Sequence, residues 1–295
     1  MKRQNIDKGV RSAFTGIALF SITALFLIML FLVKEGVPIF ETVSVKDFIT
    51  GKYWYPTDSD PAFGILPLIT GSFVVTIFSG LIAIPLGIMT AIYLAEIAPR
   101  KVAEIVKPIV ELMASMPSVV LGFFGMVVVA PFIQQLFDVP VGLNIFNASL
   151  MLAFMAIPTI CSISEDAIFS VPAALKEASF ALGATHFETI FKVTVPASIS
   201  GICTAIILGL SRAVGETMVV LMAAGGAAMM PGSIFDPSRP MPASIAAEMA
   251  EAPYGSDHYH ALFAIGVILF IFTFLFNIVA DYISHRFRQV GEASL

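Results

Sequence analysis

Long uncharged apolar runs alternate along this chain with short stretches that hold nearly all of its charge. The first run, Ala13 to Val33, carries no charged residue. A helix of about 20 residues crosses ~30 Å of hydrocarbon at ~1.5 Å per residue. Further spans are expected within Leu68–Ala95, Leu112–Phe137, Ala148–Ser164, Ala197–Ala223 and Ala261–Ala280. Pro85 and Gly87 lie inside the second block and Pro158 inside the fourth, where neighbouring helices can re-satisfy the freed carbonyls. The expected fold is an all-α membrane protein of about six transmembrane helices. The first run ends in Val33-Lys34-Glu35-Gly36, which offers no small-residue cleavage site, so it reads as a retained helix.

Lysine and arginine orient these spans. Lys2, Arg3, Lys8 and Arg11 precede the first, Arg100, Lys101 and Lys107 join the second to the third, Lys176 and Lys192 join the fourth to the fifth, and Arg286 and Arg288 follow the sixth. The alternate connections hold only Lys34, Lys46, Lys52 and Arg239, a count of 4 against 11. The positive-inside rule then places both termini in the cytoplasm, which requires an even number of spans.

Composition agrees. The chain is 58% hydrophobic and 13% charged with a mean hydropathy of +0.92, against roughly 25% charged residues in soluble domains. A net charge of −5 with no basic patch gives nucleic acid no footprint. Cys161 and Cys203 fall in apolar runs and read as small buried hydrophobes. Two outer loops are long enough for structure of their own. In Glu35–Pro67 the trio Tyr53-Trp54-Tyr55, followed by Asp58 and Asp60, reads as an interfacial anchor. In Gly225–His260, Ser244–Glu251 is expected to form a short helix against the outer face. His258 and His260, two residues apart, share no helical face, which disfavours a metal site there.

Two segments carry most of the information about chemistry. Lys176-Glu177-Ala178-Ser179-Phe180-Ala181-Leu182-Gly183 is followed after nine residues by Val193-Thr194-Val195-Pro196. Ala178, Ala181 and Leu182 form a small apolar face at helical spacing, Gly183 allows a sharp exit, and Pro196 suits a first helical turn. Arg212 lies about eleven residues, or ~16 Å, inside the fifth span. Glu216 stands at i+4 from it, one turn on, and is expected to pair with it, with Thr217 beside it. A charge at such depth costs at least ~2.5–3.5 kcal/mol on insertion scales. Two readings are open: a structural ion pair, or an anion site on a pathway, which the depth favours. Met116-Pro117-Ser118 should bend the third span, Gly122 and Gly125 should let helices approach closely, and Glu165 and Asp166 read as a helix cap or solvated turn. No G-x-x-x-x-G-K-[ST] sequence occurs, so the chain has no P-loop with which to bind ATP.

The first of these segments resembles the EAA loop of ABC importer permeases, with Glu177, Ala178, Gly183 and Pro196 at the matching spacings and Ser179, Val193 and Val195 as conservative departures. Phe63–Leu68, Met116–Gly125, Ser164–Ala167 and Arg212–Met218 extend the likeness to the PstC family of phosphate-importer permeases. That resemblance implies a type I importer (MetI-like) core over residues 68–284 containing a coupling loop at about 165–196, preceded by a helix and outer loop over 1–67 and followed by a cytoplasmic tail over 285–295. It implies a bacterial plasma membrane, a PstA-like second permease, a PstB-like ATPase dimer that binds ATP and Mg, a PstS-like phosphate-binding protein, and inorganic phosphate as cargo, with no cofactor in this chain. Arg212, Glu216 and Thr217 would line the pathway, and Glu177, Ala178, Ser179, Gly183 and Pro196 would meet the ATPase. A proton-driven secondary transporter would instead show internal repeats and a carboxylate relay, which the sequence lacks. An importer of another anion, sulfate or molybdate, would carry the same loop, and a non-transporting scaffold is the third alternative.

Overall fold

The computed structural model describes residues 2–287. The helices, in chain order, are α1 (Lys2–Gly36), α2 (Val45–Thr50), α3 (Leu66–Ile92), α4 (Arg100–Ala114), α5 (Ser118–Phe124), α6 (Ala130–Phe137), α7 (Ile145–Phe169), α8 (Ala173–Ala181), α9 (His186–Thr189), α10 (Val195–Ala197), α11 (Ile199–Val214), α12 (Met218–Ala223), α13 (Met241–Glu248) and α14 (Asp257–Phe287). A two-stranded hairpin, β1 (Trp54–Tyr55) with β2 (Ala62–Phe63), lies between α2 and α3. Single π turns, Tyr93–Ile97, Gly125–Val129 and Ile190–Thr194, extend α3 and join α5 to α6 and α9 to α10. Among the described residues five stretches are long and apolar enough to cross a membrane, and a pair bent by 68°, His186–Ala197 with Ile199–Val214, brings the number to six.

The first, second, fourth and sixth expected spans appear where the sequence places them, each longer at one or both ends. The third does not start at Leu112. Residues up to Ala114 belong to α4, a separate helix with polar and apolar faces, and the chain turns at Ser115–Pro117 before the span Ser118–Phe137. Pro117 has no N–H to continue a helix and sits extended at the start of α5. The fifth span is not continuous either: it breaks at Ser198 and again between Val214 and Met218. Of the expected tail, residues 285–287 continue α14 and 288–295 lie outside the described residues.

The bundle is built around α7, 67% of whose apolar window is buried, against none of α1's. Asn144 caps α7 by accepting the Asn147 N–H at 2.9 Å, and Asn147 Nδ2 in turn donates to the carbonyls of Gly125 and Gly142. This tethers the widened turn of the third span to the head of α7. In lipid the hydrophobic effect does not hold helices together, so close backbone approach must. Ile160 of α7 fits between Gly87 of α3 and Gly209 of α11, where an added Cβ would lie 2.8 Å and 2.5 Å from its side chain. Gly201 meets Ala167 in the same way further along α11. Gly122 and Gly125 also take up close contacts, against Met218 and Met222 of α12 and Met151 of α7.

A compact cap closes one end of the bundle. Ile39, Phe48, Trp54, Phe63, Ile65, Leu68, Met241, Leu262 and Ile265 form its core. Trp54 is therefore not an interfacial anchor: it is 2% exposed, packs edge-on to Phe63, and donates its indole N–H to Glu248, while Tyr53 and Tyr55 stay exposed. Alternation along the short strand turns the middle residue of the trio inward. The short helix expected at Ser244–Glu251 forms as α13, three residues earlier, and its first turn is buried rather than laid on a surface. Glu248 is the polar centre of the cap, accepting from Trp54, Arg239 and His258 Nε2, the last at 2.8 Å.

Two stability predictions follow from this packing. Gly209→Val should overpack the Ile160 seat and destabilise the bundle by about 1–3 kcal/mol, with Ile160→Ala in the same chain recovering part of the loss, read as the denaturant midpoint in detergent. Glu248→Ala removes the acceptor for two buried cationic or polar partners and for the indole. It should cost about 3–5 kcal/mol and shift the emission of the chain's lone tryptophan to the red, measured by fluorescence during unfolding.

Candidate functional site

At the end of the bundle opposite the cap, α8 stands on the α7–α11 connection. Only Lys176 and Ser179 of its central residues turn toward the protein; Leu175, Glu177, Ala178, Phe180 and Ala181 are exposed. Leu182, just past its end, is 89% exposed. A 9-residue helix that leaves two large apolar side chains uncovered, with a third just past its end, is unlike a self-sufficient surface helix. Gly183 terminates it at φ +83°, a left-handed conformation that disfavours side chains. Thr185 and Glu188 then form a capping box that starts α9.

Two polar contacts tie α8 down, and a bridge from α4 braces the end of α7 that leads into it. Lys176 Nζ lies 2.5 Å from Glu96 on the π turn that ends the second span. Ser179 Oγ and Thr189 Oγ1 share a buried hydrogen bond of 2.9 Å. Lys107 of α4 bridges Glu165 at 3.0 Å and Asp166 at 3.2 Å. The Glu165 hydrogen bond, with Asp166 adding to it against partial desolvation, holds the Lys107 ammonium above its usual range. Glu165 and Asp166 are thus not a solvated turn: both lie within α7, before its end at Phe169, and both engage α4. Sequence reasoning missed Glu96 and Thr189, whose only signal was a lone acid closing an apolar run and a threonine in a loop.

Arg212 occupies the last turn of α11 and is exposed. It forms no ion pair with Glu216 among the described residues, because the helix ends at Val214 and the i, i+4 geometry is lost. Glu216 turns back on its own chain. Its Oε1 accepts the backbone N–H groups of Met218 and Val219 at 3.2 Å and 3.3 Å, satisfying donors that the break exposes. Arg212 instead donates one long hydrogen bond, 3.4 Å, to the carbonyl of Ala114, beside the turn that precedes the third span. Two chain breaks therefore meet at one cation. Thr217 Oγ1 bonds weakly back to the Gly215 carbonyl at 3.4 Å. Ser211, one residue before Arg212, donates to Asn277 of α14 at 2.8 Å, a second polar contact between apolar helices.

A helical bundle of apolar spans, with a short helix carrying exposed apolar residues between its fourth and fifth spans, defines a multi-pass membrane protein. The chain belongs to the family described as the binding-protein-dependent transport system inner membrane component, whose model matches residues 83–289. It is 42% identical to a probable ABC transporter permease protein, YqgH, of Bacillus subtilis, over 94% of this chain and 90% of that one. It is 35% identical to the phosphate transport system permease protein PstC of Mesorhizobium japonicum, over 81% and 78% of the two chains. Among solved structures, an alginate ABC transporter superposes with a TM-score of 0.64 at 16% identity over 97% of both chains, and the inward-facing MetNI methionine transporter with 0.57 at 24% over 77% of this chain and 95% of that one. The MetI-like fold expected from the sequence is the fold found. The protein is the inner-membrane permease of a binding-protein-dependent ABC importer, a class that implies an ATPase and a substrate-binding protein as partners.

The exposed apolar face of α8 generates a prediction. Leu182→Glu should abolish co-purification of the ATPase subunit while leaving the detergent-solubilised permease monodisperse, since Leu182 touches little of its own chain. Undiminished co-purification would separate this face from the ATPase.

Proposed function

We propose that this chain is the phosphate-importing permease of its class, and that it forms half of a pathway with a PstA-like second permease. The single observation that carries the reading is Arg212: an exposed guanidinium at a break between apolar helices, held by one long hydrogen bond to a carbonyl and by no carboxylate among the described residues. Ionisable side chains at membrane depth face the bundle interior or a cavity and mark substrate and ion pathways. Guanidinium donors suit phosphate geometry. Relatives that carry the name phosphate transport system permease support the choice of anion.

In this reading both termini lie in the cytoplasm and a PstS-like protein delivers phosphate at the cap. A PstB-like dimer, binding ATP with Mg, closes against α8 around the exposed Glu177 and Ala178 and its end at Gly183, with Pro196 opening the return into the membrane; Ser179, expected to share this contact, is buried against Thr189 and supports the helix from within. The closure moves the spans that meet at Arg212, and phosphate passes the guanidinium. Glu216 Oε1 is committed to the backbone. Its second oxygen is the acceptor available to a protonated phosphate, a hydrogen that sulfate lacks at neutral pH, and Thr217 stands next to it.

Radiolabelled phosphate uptake in cells lacking their own high-affinity system, supplied with the partner subunits, tests this. Arg212→Gln should reduce uptake at least tenfold with the ATPase still co-purifying, and Arg212→Lys should keep part of it. Normal uptake by Arg212→Gln in an assembled complex would make Arg212 structural and remove the basis of the pathway.

A further inference from the structure

We propose that the Lys176–Glu96 ion pair is the link through which movement of α8 is transmitted to the second span, so that Lys176 and Glu96 are positioning residues for transport. The inference rests on the reading of α8 as the helix engaged by the ATPase, and goes beyond it by naming the route of the motion inside this chain.

A helix pushed by a partner moves the bundle only through what ties it to the bundle. Connectivity ties α8 to α7 through Ser170–Pro172 and to α9 through Leu182–Thr185. The Ser179–Thr189 bond joins it to the segment that follows it in sequence. Lys176 alone among the polar side chains of α8 reaches an element distant in sequence, 80 residues away. Its partner is well built for that task. Glu96 is 8% exposed in its side chain, which makes it a buried carboxylate at the end of a span, and Lys176 supplies its cation. Lys176 and Ser179 are three residues apart and share the inward face; Glu177 and Ala178 lie on the far side, and the exposed Leu175 and Phe180 flank it. One face of α8 is open to a partner, and the other grips two parts of the bundle.

A second observation points the same way. Glu96 lies in a π turn, Tyr93–Ile97, that widens the last turn of an otherwise regular α-helical span. Such single-turn widenings shift the facing of every later residue and recur at functional positions. Here the shift falls immediately before Pro99 ends the element, so its effect is confined to the few side chains at the tip, of which Glu96 is the charged one. The span it terminates is α3, whose Gly87 grips Ile160 of α7 and whose Gly80 lies against Leu210, two residues before Arg212. A pull on Glu96 therefore acts on a single helix that reaches the Arg212 region by direct packing. The neighbouring bridge from Lys107 to Glu165 and Asp166 joins α4 to α7 and leaves α8 untouched.

The test uses the assembled complex in proteoliposomes with its binding protein, comparing the intact chain with Glu96→Gln, Lys176→Met and the exchanged double variant Glu96→Lys/Lys176→Glu. The readout is phosphate imported per ATP hydrolysed. Each single variant should retain the ATPase subunit and at least half of its hydrolysis, while import per ATP falls at least fivefold. The exchanged pair should return the ratio to within twofold of the intact chain. Loss of assembly in both single variants, hydrolysis and import falling in proportion, or an exchanged pair that assembles yet stays at the low ratio would each overturn the proposal and make the pair structural. A substrate-independent arm separates this from the phosphate reading. Spin labels at the exposed Leu81 of α3 and Leu136 of α6 should change separation on ATP binding in the intact complex and in the exchanged pair, and stay fixed in the single variants. An intact complex that shows this change yet imports no phosphate would sink the substrate assignment alone; no difference between intact and single variants would sink the link.

Discussion

The seat of Ile160 between Gly87 and Gly209 is the contact on which the bundle depends. Within lipid, tails compete with side chains for every apolar surface, so burial alone favours no particular arrangement of helices. What remains is the depth of van der Waals contact that two missing side chains permit. Because α3 and α11 both close on the same residue of α7, their mutual positions are set through one side chain. The polar features then fall into place around it: Arg212 lies one turn beyond Gly209 on α11, and Glu96 lies beyond Gly87 at the tip of the rod formed by α3 and its π turn.

Interruptions of regular helix are the second organising theme, and each has a local cause. Pro117 stops α4 from running into the third span. The widened turn at Gly125–Val129 leaves the Gly125 carbonyl placed to receive Asn147 as well as the helix's own N–H. At Gly215–Thr217 the freed N–H groups of Met218 and Val219 are taken by Glu216. Irregular backbone among apolar helices is sustained only where such partners exist. The same requirement that repairs the break commits Glu216 to the backbone and leaves Arg212 without its expected carboxylate.

Much of this was legible in the sequence, because membrane spans announce themselves by length and uncharged composition. Four of the six appeared where the apolar runs placed them, and the helix ending at Gly183 was readable from its small-residue face and glycine. What failed were inferences that needed a continuous helix or a free edge. The Arg212–Glu216 pair assumed that Gly215 would be carried through a helix, and Trp54 was assigned to the membrane surface because nothing in sequence reveals that Glu248, 194 residues away, waits for its indole N–H. Glu165 and Asp166 looked like a solvated turn because their cation, Lys107, comes from another helix. In each case the deciding partner was distant in sequence, where local pattern carries no information.

The peripheral setting of α1 has a consequence of a different kind. Its apolar window buries nothing within the chain, and its neighbours are α14 and the short turn at Val37–Glu41, with Phe31 against Phe263 and Gly36 pressed on the backbone of Ala264. Such an outrigger is held chiefly along α14 and at its Gly36 end, so the rest of its apolar length is free to meet lipid or a second membrane subunit.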